Sequence, residues 1–227
     1  LHSEHPEPYN SYGNGAAMRV SGCAWVAKSL AEVKKLSYAV TKVTHNHPEG
    51  IKGAETVAIA IFLARKGKTK AEIKDYITKN YYDIDFTLDS VRETYEFDVS
   101  CQGSVPQALE AFFESDSFED AIRNAISIGG DSDTIGTITG SIAEAYYDVP
   151  DSLRYCAMNF LNKSASEALT SFEDEFPFCS FCSKNKNGAG SRTRLLLKQK
   201  SSVPPRSKNR EQAPDFYSLR RPVEPSI

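Results

Sequence analysis

Aromatic and sulfur-bearing residues of three kinds are scarce: the 227 residues hold one Trp, two Met and four His, and two of those His, His45 and His47, share one short segment. No stretch approaches the roughly 18–20 consecutive apolar residues that span a bilayer as a helix, which argues against an integral helical membrane protein. The first residues, Leu1 to Pro6, lack the basic and apolar regions of a secretory signal, so the expected location is cytoplasmic. They also lack an initiating Met, which points to a fragment or a processed start. The five Cys, at 23, 101, 156, 179 and 182, are odd in number and widely scattered, against a disulfide framework. Alternation of period two is nearly absent, with Glu93–Val99 the one weak strand candidate, so the class is mainly α.

What is present suffices for one sizeable core, at 40% hydrophobic and 11% aromatic content. Charge divides the chain. Residues 1–179 hold 16 Lys and Arg against 27 Asp and Glu, whereas residues 180–227 hold 11 against 3. The basic part is rich in Ser, Pro and Asn and has one apolar cluster, Leu195–Leu197, too little buried surface to offset chain entropy. Residues 1–176 are therefore read as a folded domain and 177–227 as a disordered basic tail. No aromatic interleaving or folded RNA-binding motif accompanies the basic charge, and nucleic acid is not expected as a partner. Cys179 and Cys182 have the spacing of half a zinc site, but no second pair or His lies near, which favours free thiols.

Helical periodicity organises the acidic part. Residues 22–38 carry Trp25, Val26, Leu30, Val33 and Leu36 at helical spacing, and Ala54–Ala64 is apolar nearly all round, as in a helix packed on every side. Helices are predicted over 70–81, over 104–114 with Ser104 and Gln107 as a capping box, over 118–128, over 134–147 and over 151–172. Gly136 and Gly140 inside the 134–147 helix each cost about 1 kcal/mol relative to Ala, which calls for close approach by another helix.

Three loops carry polar groups suited to chemistry. Residues 129–134, Gly-Gly-Asp-Ser-Asp-Thr, place Asp131, Asp133 and Thr134 at a helix start, where glycine turns let oxygen donors converge and the helix dipole favours ionised carboxylates. Such donors suit Mg²⁺ or Ca²⁺, with Mn²⁺ sharing the preference. The plainer reading is that Ser132 or Asp133 caps the helix. Ser11-Tyr12-Gly13-Asn14-Gly15 lets backbone N–H groups approach a phosphate or ribose, or is simply a turn. Thr44-His45-Asn46-His47-Pro48-Glu49-Gly50 suits phosphate or sugar contact, helix capping or, less well, zinc. Pro48 keeps His47 extended, so the two imidazoles are not expected to face the same way.

The segments SYGNGAAMR (11–19), THNHPEGIKGA (44–54), SCQGSVP (100–106) and GGDSDTIGTITGSIAEAYY (129–147), in that order, together resemble the ADP-ribosylglycohydrolases. The resemblance implies an all-α, orthogonally packed multi-helix domain that hydrolyses the bond between ADP-ribose and a protein side chain, with two Mg²⁺ or Mn²⁺ ions in a central cleft. On this resemblance Asp131, Asp133 and Thr134 are metal ligands, and Ser11, Tyr12, Gly13 and Asn14 hold the ribose and diphosphate. His45 contacts the bound ADP-ribose, and Gly15, His47, Glu49 and Gly50 extend that contact. Partners are then an ADP-ribosylated protein or ADP-ribose itself. The family's Gly-Asp and Thr-Asp-Asp-Thr motifs, which supply the remaining metal ligands, have no counterpart in residues 1–10. The domain is therefore read as N-terminally truncated, its catalytic residues as lying in the absent part, and the activity of this chain as impaired. The alternative is a non-catalytic, crystallin-like relative that keeps the fold for binding or structure.

Overall fold

The computed structural model describes residues 7–176. The basic tail and the Cys179/Cys182 pair lie outside the described residues. Within them the chain forms eleven helices and no strand. These are α1 (Gly15–Met18), α2 (Ser21–Val26), α3 (Leu30–Thr41), α4 (Pro48–Arg65), α5 (Lys70–Asn80) and α6 (Leu88–Val91). They continue with α7 (Cys101–Phe113), α8 (Phe118–Ser127), α9 (Ser132–Tyr147), α10 (Asp151–Met158) and α11 (Lys163–Glu175). The all-α expectation holds.

The apolar segment from Ala54 to Ala64 forms the interior of α4, in which every residue from 57 to 64 is buried. This helix packs against α1, α2, α3, α5, α7 and α9. It starts earlier than its apolar run, at Pro48, because Pro is favourable at the first helical position and His47 Nδ1 accepts the Glu49 N–H at 3.1 Å. The glycine pair of α9 seats its neighbour as expected. A Cβ at Gly140 would meet Ile122 Cδ1 at 3.0 Å and one at Gly136 would meet Ile126 Cδ1 at 3.4 Å, so two isoleucines of α8 rest on two glycines of α9.

Four expectations are corrected. The helix foreseen over 22–38 is two, α2 and α3, because Ala27 turns extended (ψ 142°) and Ser29 Oγ caps the new start by accepting the Glu32 N–H at 3.2 Å. The helix foreseen over 151–172 is likewise broken between α10 and α11, where Asn162 Oδ1 accepts the Ala165 N–H at 2.8 Å. The start foreseen at Ser104 moves back to Cys101. Ser100 Oγ caps α7 by accepting the Gly103 N–H at 3.1 Å, Pro106 sits inside the helix, and the Ser104 hydroxyl donates to the Asp98 carbonyl at 2.9 Å. The strand candidate 93–99 forms no strand; one antiparallel bridge lies just past its end, between Gly13 and Ser100. There the Asn14 N–H donates to the Val99 carbonyl and the Cys101 N–H to the Tyr12 carbonyl, at 2.7 and 2.9 Å. Pairing goes no further because both segments then enter helices, α1 and α7.

Candidate functional site

The bridge between residues 12–14 and 99–101 sets the position of the Ser11–Gly15 loop. Its floor is fixed by a thiol: Cys101 Sγ, fully buried, donates to the Gly13 carbonyl at 3.3 Å. Burial pushes the thiol pKa up to about 12, so it stays protonated and able to donate. On the other side the loop rests on α4, where a Cβ at Gly50 would lie 2.7 Å from the Ser11 carbonyl oxygen. The Asn10 N–H also donates to Asn46 Oδ1 at 2.7 Å, tying the loop's entrance to the His45–His47 segment.

Asn14 is buried, and its side-chain amide is the junction between this loop and the carboxylates of α9. Nδ2 donates to Asp131 Oδ2 at 2.6 Å, to Ser104 Oγ at 2.9 Å and, at 3.4 Å, to the Asp98 carbonyl. Such a charge-assisted bond to Asp131 is among the stronger kinds. The turn before α9 uses two left-handed glycines, Gly129 (φ 80°) and Gly130 (φ 61°), a region open to Gly at little cost. Tyr95 braces it: a Cβ at Gly130 would fall 2.4 Å from the Tyr95 ring, and the Tyr95 hydroxyl donates to the Gly103 carbonyl at 2.7 Å.

Asp131 itself is the N-cap residue of α9 and makes no side-chain capping hydrogen bond, so the capping role foreseen for Ser132 or Asp133 is not the one adopted. The Asp133 carboxyl is held below the ordinary Asp range, first by a hydrogen bond with Asp131 and then by the Thr134 N–H, which donates to it at 3.0 Å. Two acidic side chains in mutual contact leave their oxygens to be bridged by a proton or a cation. The Thr134 hydroxyl is buried and points to Met18 Sδ of α1, 3.7 Å away. All three carry oxygen donors of the kind that Mg²⁺ and Mn²⁺ take. They fit such an ion in kind, but among the described residues no group of three or more His, Cys, Asp or Glu gathers to hold a metal.

His45 lies on the opposite side of the loop. It is buried, with Nδ1 2.7 Å from Thr44 Oγ1 and 3.4 Å from an Arg19 nitrogen. Thr44 Oγ1 accepts from Arg19 at 2.6 Å, which leaves its hydroxyl proton for Nδ1. Arg is a donor only, so Nδ1 is the acceptor and the neutral ring carries its proton on Nε2. Burial first, and the Arg19 charge second, lower the His45 pKa from its usual value and favour this neutral form. Nε2 points at the loop, 3.5 and 3.8 Å from where Cβ atoms at Gly13 and Gly15 would stand.

The remaining foreseen residues divide. Ser11 Oγ accepts the Gly13 N–H at 3.1 Å and shapes the loop. Tyr12 is half-exposed and meets His47 edge-on, ring centroids 5.3 Å apart. His47 itself caps α4 from an extended backbone, as the following Pro48 requires. Glu49 pairs with Lys52 at 3.5 Å on α4. Asp98 and Tyr95 were not singled out by sequence reasoning, and Arg19 and Thr44 lay within the quoted segments without a role of their own. The signal available for Asp98 was Gly103, whose missing side chain makes room for the Asp98 carboxyl.

Residues 2–170 match the family model described as ADP-ribosylglycohydrolase. Human ADP-ribosylhydrolase ARH3 is 30% identical over 191 residues, covering 63% of this chain and 53% of that protein. The ADP-ribosyl-dinitrogen reductase glycohydrolase of Rhodospirillum rubrum is 28% identical over 145 residues, covering 61% and 47%. A solved structure of an ADP-ribosylglycohydrolase-related protein complex is similar with a TM-score of 0.54 at 24% identity, over 72% of this chain and 60% of that one, a likeness of fold. The chain spans about half the length of the curated relatives it matches. Among the described residues no helix is long and apolar enough to cross a membrane.

Proposed function

The chain belongs to the ADP-ribosylglycohydrolase family, and from that premise we propose that the Ser11–Gly15 loop, His45 and the Asp131–Thr134 turn form an ADP-ribose site serving hydrolytic removal of ADP-ribose from a modified protein side chain. The observation that carries this reading is the double anchoring of one loop. Asn14 reaches the paired carboxylates of α9 while Gly13 and Gly15 lie under the Nε2–H of His45.

Each group has a task in this reading. Neutral His45 offers one directed N–H to a ligand oxygen without adding charge. The glycines let a diphosphate or ribose approach the backbone closely. Asn14 fixes the Asp131 carboxylate and leaves its other lone pairs for a ligand. Asp131, Asp133 and Thr134 would contribute to holding Mg²⁺ or Mn²⁺, the rest of the shell coming from water, substrate hydroxyls or protein outside residues 7–176. When bound, such an ion supplies Lewis acidity toward ribose hydroxyls and lowers the pKa of water.

Two carboxylates are few for a pair of divalent ions, which repel each other strongly unless more negative charge surrounds them. Wherever no further carboxylates join Asp131 and Asp133, this favours binding of ADP-ribose with little turnover, the property of a non-catalytic relative.

Calorimetric titration of ADP-ribose into the protein with Mg²⁺ present tests the site. Binding is expected, and Asp131→Ala or Asp133→Ala should weaken it by about tenfold or more. A chain that is helical by circular dichroism yet binds no ADP-ribose overturns the reading. Rapid release of ADP-ribose from a modified protein would overturn the low-turnover part alone.

A further inference from the structure

Arg19 stands directly after α1, as its C-cap residue, and is exposed. Among the described residues it forms no salt bridge with a carboxylate; its guanidinium turns to two groups without negative charge, donating to Thr44 Oγ1 at 2.6 Å and lying 3.4 Å from His45 Nδ1. A cation in that place repels the protonated imidazole. The arrangement suits one state of His45 only, the neutral ring with its Nδ1 lone pair turned toward Thr44 and Arg19.

The hydrogen bonds of this group run one way. A guanidinium can only donate, so Thr44 Oγ1 accepts from it and spends its own proton on Nδ1, 2.7 Å away. Without Arg19 the hydroxyl could equally accept from a protonated Nδ1, and the direction would be lost. That direction matters at the far side of the ring, because Nε2 faces the loop near Gly13 and Gly15. Burial and the Arg19 charge act on the His45 pKa in the same sense, both lowering it.

Placement follows from the same residue. Asn14, the N-cap of α1, grips Asp131, while Arg19, its C-cap, holds Thr44 and His45; the four residues of α1 between them rise about 6 Å. One short helix therefore carries the contacts to both sides of the site.

We propose that Arg19 is a positioning residue, acting through Thr44 to hold His45 as a fixed Nε2–H donor toward an acceptor oxygen of the bound ligand. The identity of that ligand rests on the ADP-ribose reading, whereas the direction of the relay does not.

Long-range proton–nitrogen correlation spectra of the full chain at pH 7.5, without ligand, report the tautomer of each of the four His, and His45→Gln identifies the His45 signals by their loss. The parent is expected to show the Nε2–H form. Three substitutions separate direction from packing. Arg19→Lys keeps a group that only donates and should keep this form. Arg19→Met removes the donor and Arg19→Gln adds an amide oxygen that can accept from Thr44, so in both the Nδ1–H form should gain population. The exposure of Arg19 lets all three fold. ADP-ribose affinity with Mg²⁺ should follow the tautomer, falling about tenfold in Arg19→Met and Arg19→Gln and little in Arg19→Lys. A parent ring protonated on Nδ1, or a tautomer unchanged in Arg19→Met and Arg19→Gln, overturns the proposal; affinity lost without a change of tautomer would mean that the guanidinium meets the ligand itself. A parent that shows the expected tautomers and binds no ADP-ribose overturns the ADP-ribose reading and leaves the relay standing.

Discussion

Asn14 and Asp131, 117 residues apart in sequence, are joined by a hydrogen bond of 2.6 Å from amide to carboxylate. The same amide reaches Ser104, so one side chain links the loop before α1, the start of α7 and the start of α9.

Replacing Asn14 by Ala removes a charge-assisted hydrogen bond and leaves Asp131 to water. The expected loss is about 1.5–3 kcal/mol in unfolding free energy, read from urea transitions. ADP-ribose affinity should fall with it, because the loop and the carboxylates are no longer held together. Unchanged stability and affinity would show that the junction is incidental.

Gly50→Ala places a methyl group 2.7 Å from the Ser11 carbonyl and 3.2 Å from His45 Cβ. Overpacking of this kind costs about 1–3 kcal/mol, and the movable partner is the Ser11–Gly15 loop. Gly15→Ala is the contrast: its nearest neighbour would be His45 Nε2 at 3.8 Å, ordinary contact. Thermal unfolding should separate the two variants, with Gly50→Ala melting lower and Gly15→Ala close to the parent.

Glu144 gives a pH dependence whose sign follows from its raised pKa, about 7 against 4.5 for the ordinary group. Below pH 4.5 the folded and unfolded states are both protonated and the group costs nothing. Between these values only the unfolded state releases its proton, so stability falls as pH rises, and above pH 7 the cost is complete. Its upper magnitude is about 3 kcal/mol. Glu144→Gln should therefore be more stable than the parent at pH 8 and level with it near pH 4, as urea midpoints would reveal; Arg154, losing a neighbouring charge, reduces the gain.

His45 acts with the opposite slope. Its folded pKa is lowered below 6.5, so above that pH neither state is protonated and the group has no effect. As pH falls through 6.5 the unfolded chain takes up the proton first, and stability declines until the folded pKa is passed. His45→Gln should remove that part of the decline between pH 7 and 5. A profile identical to the parent's would mean that the imidazole titrates alike in the folded and unfolded states.

Much of this architecture was legible because its signals are local. The helical run from Lys70, the all-apolar interior of α4 and the glycine pair of α9 each follow from a few neighbouring residues. The breaks at 27–29 and 159–162 were not, because apolar periodicity continues across them and the deciding groups are single caps, Ser29 and Asn162. Pro106 misled for a related reason: Pro favours a first turn, and here the cap at Ser100 outweighs that preference. At the site, the loop, the His45 segment and the acidic turn stood out by composition, whereas Asp98 and Tyr95, and the bond from Arg19 to Thr44, work through contacts between distant segments that no spacing announces.

The thiol beneath the Gly13 carbonyl also acts as a gauge. A Cβ at Gly53 of α4 would lie 2.6 Å from both Cβ and Sγ of Cys101, so α4 and α7 close on one another over the Cys101 side chain. That side chain is at once the spacer between two helices and the donor under the loop. The Gly13 carbonyl and the approach of α4 to α7 thus rest on the same side chain, so a residue of another size at 101 would disturb the helix spacing and the loop together.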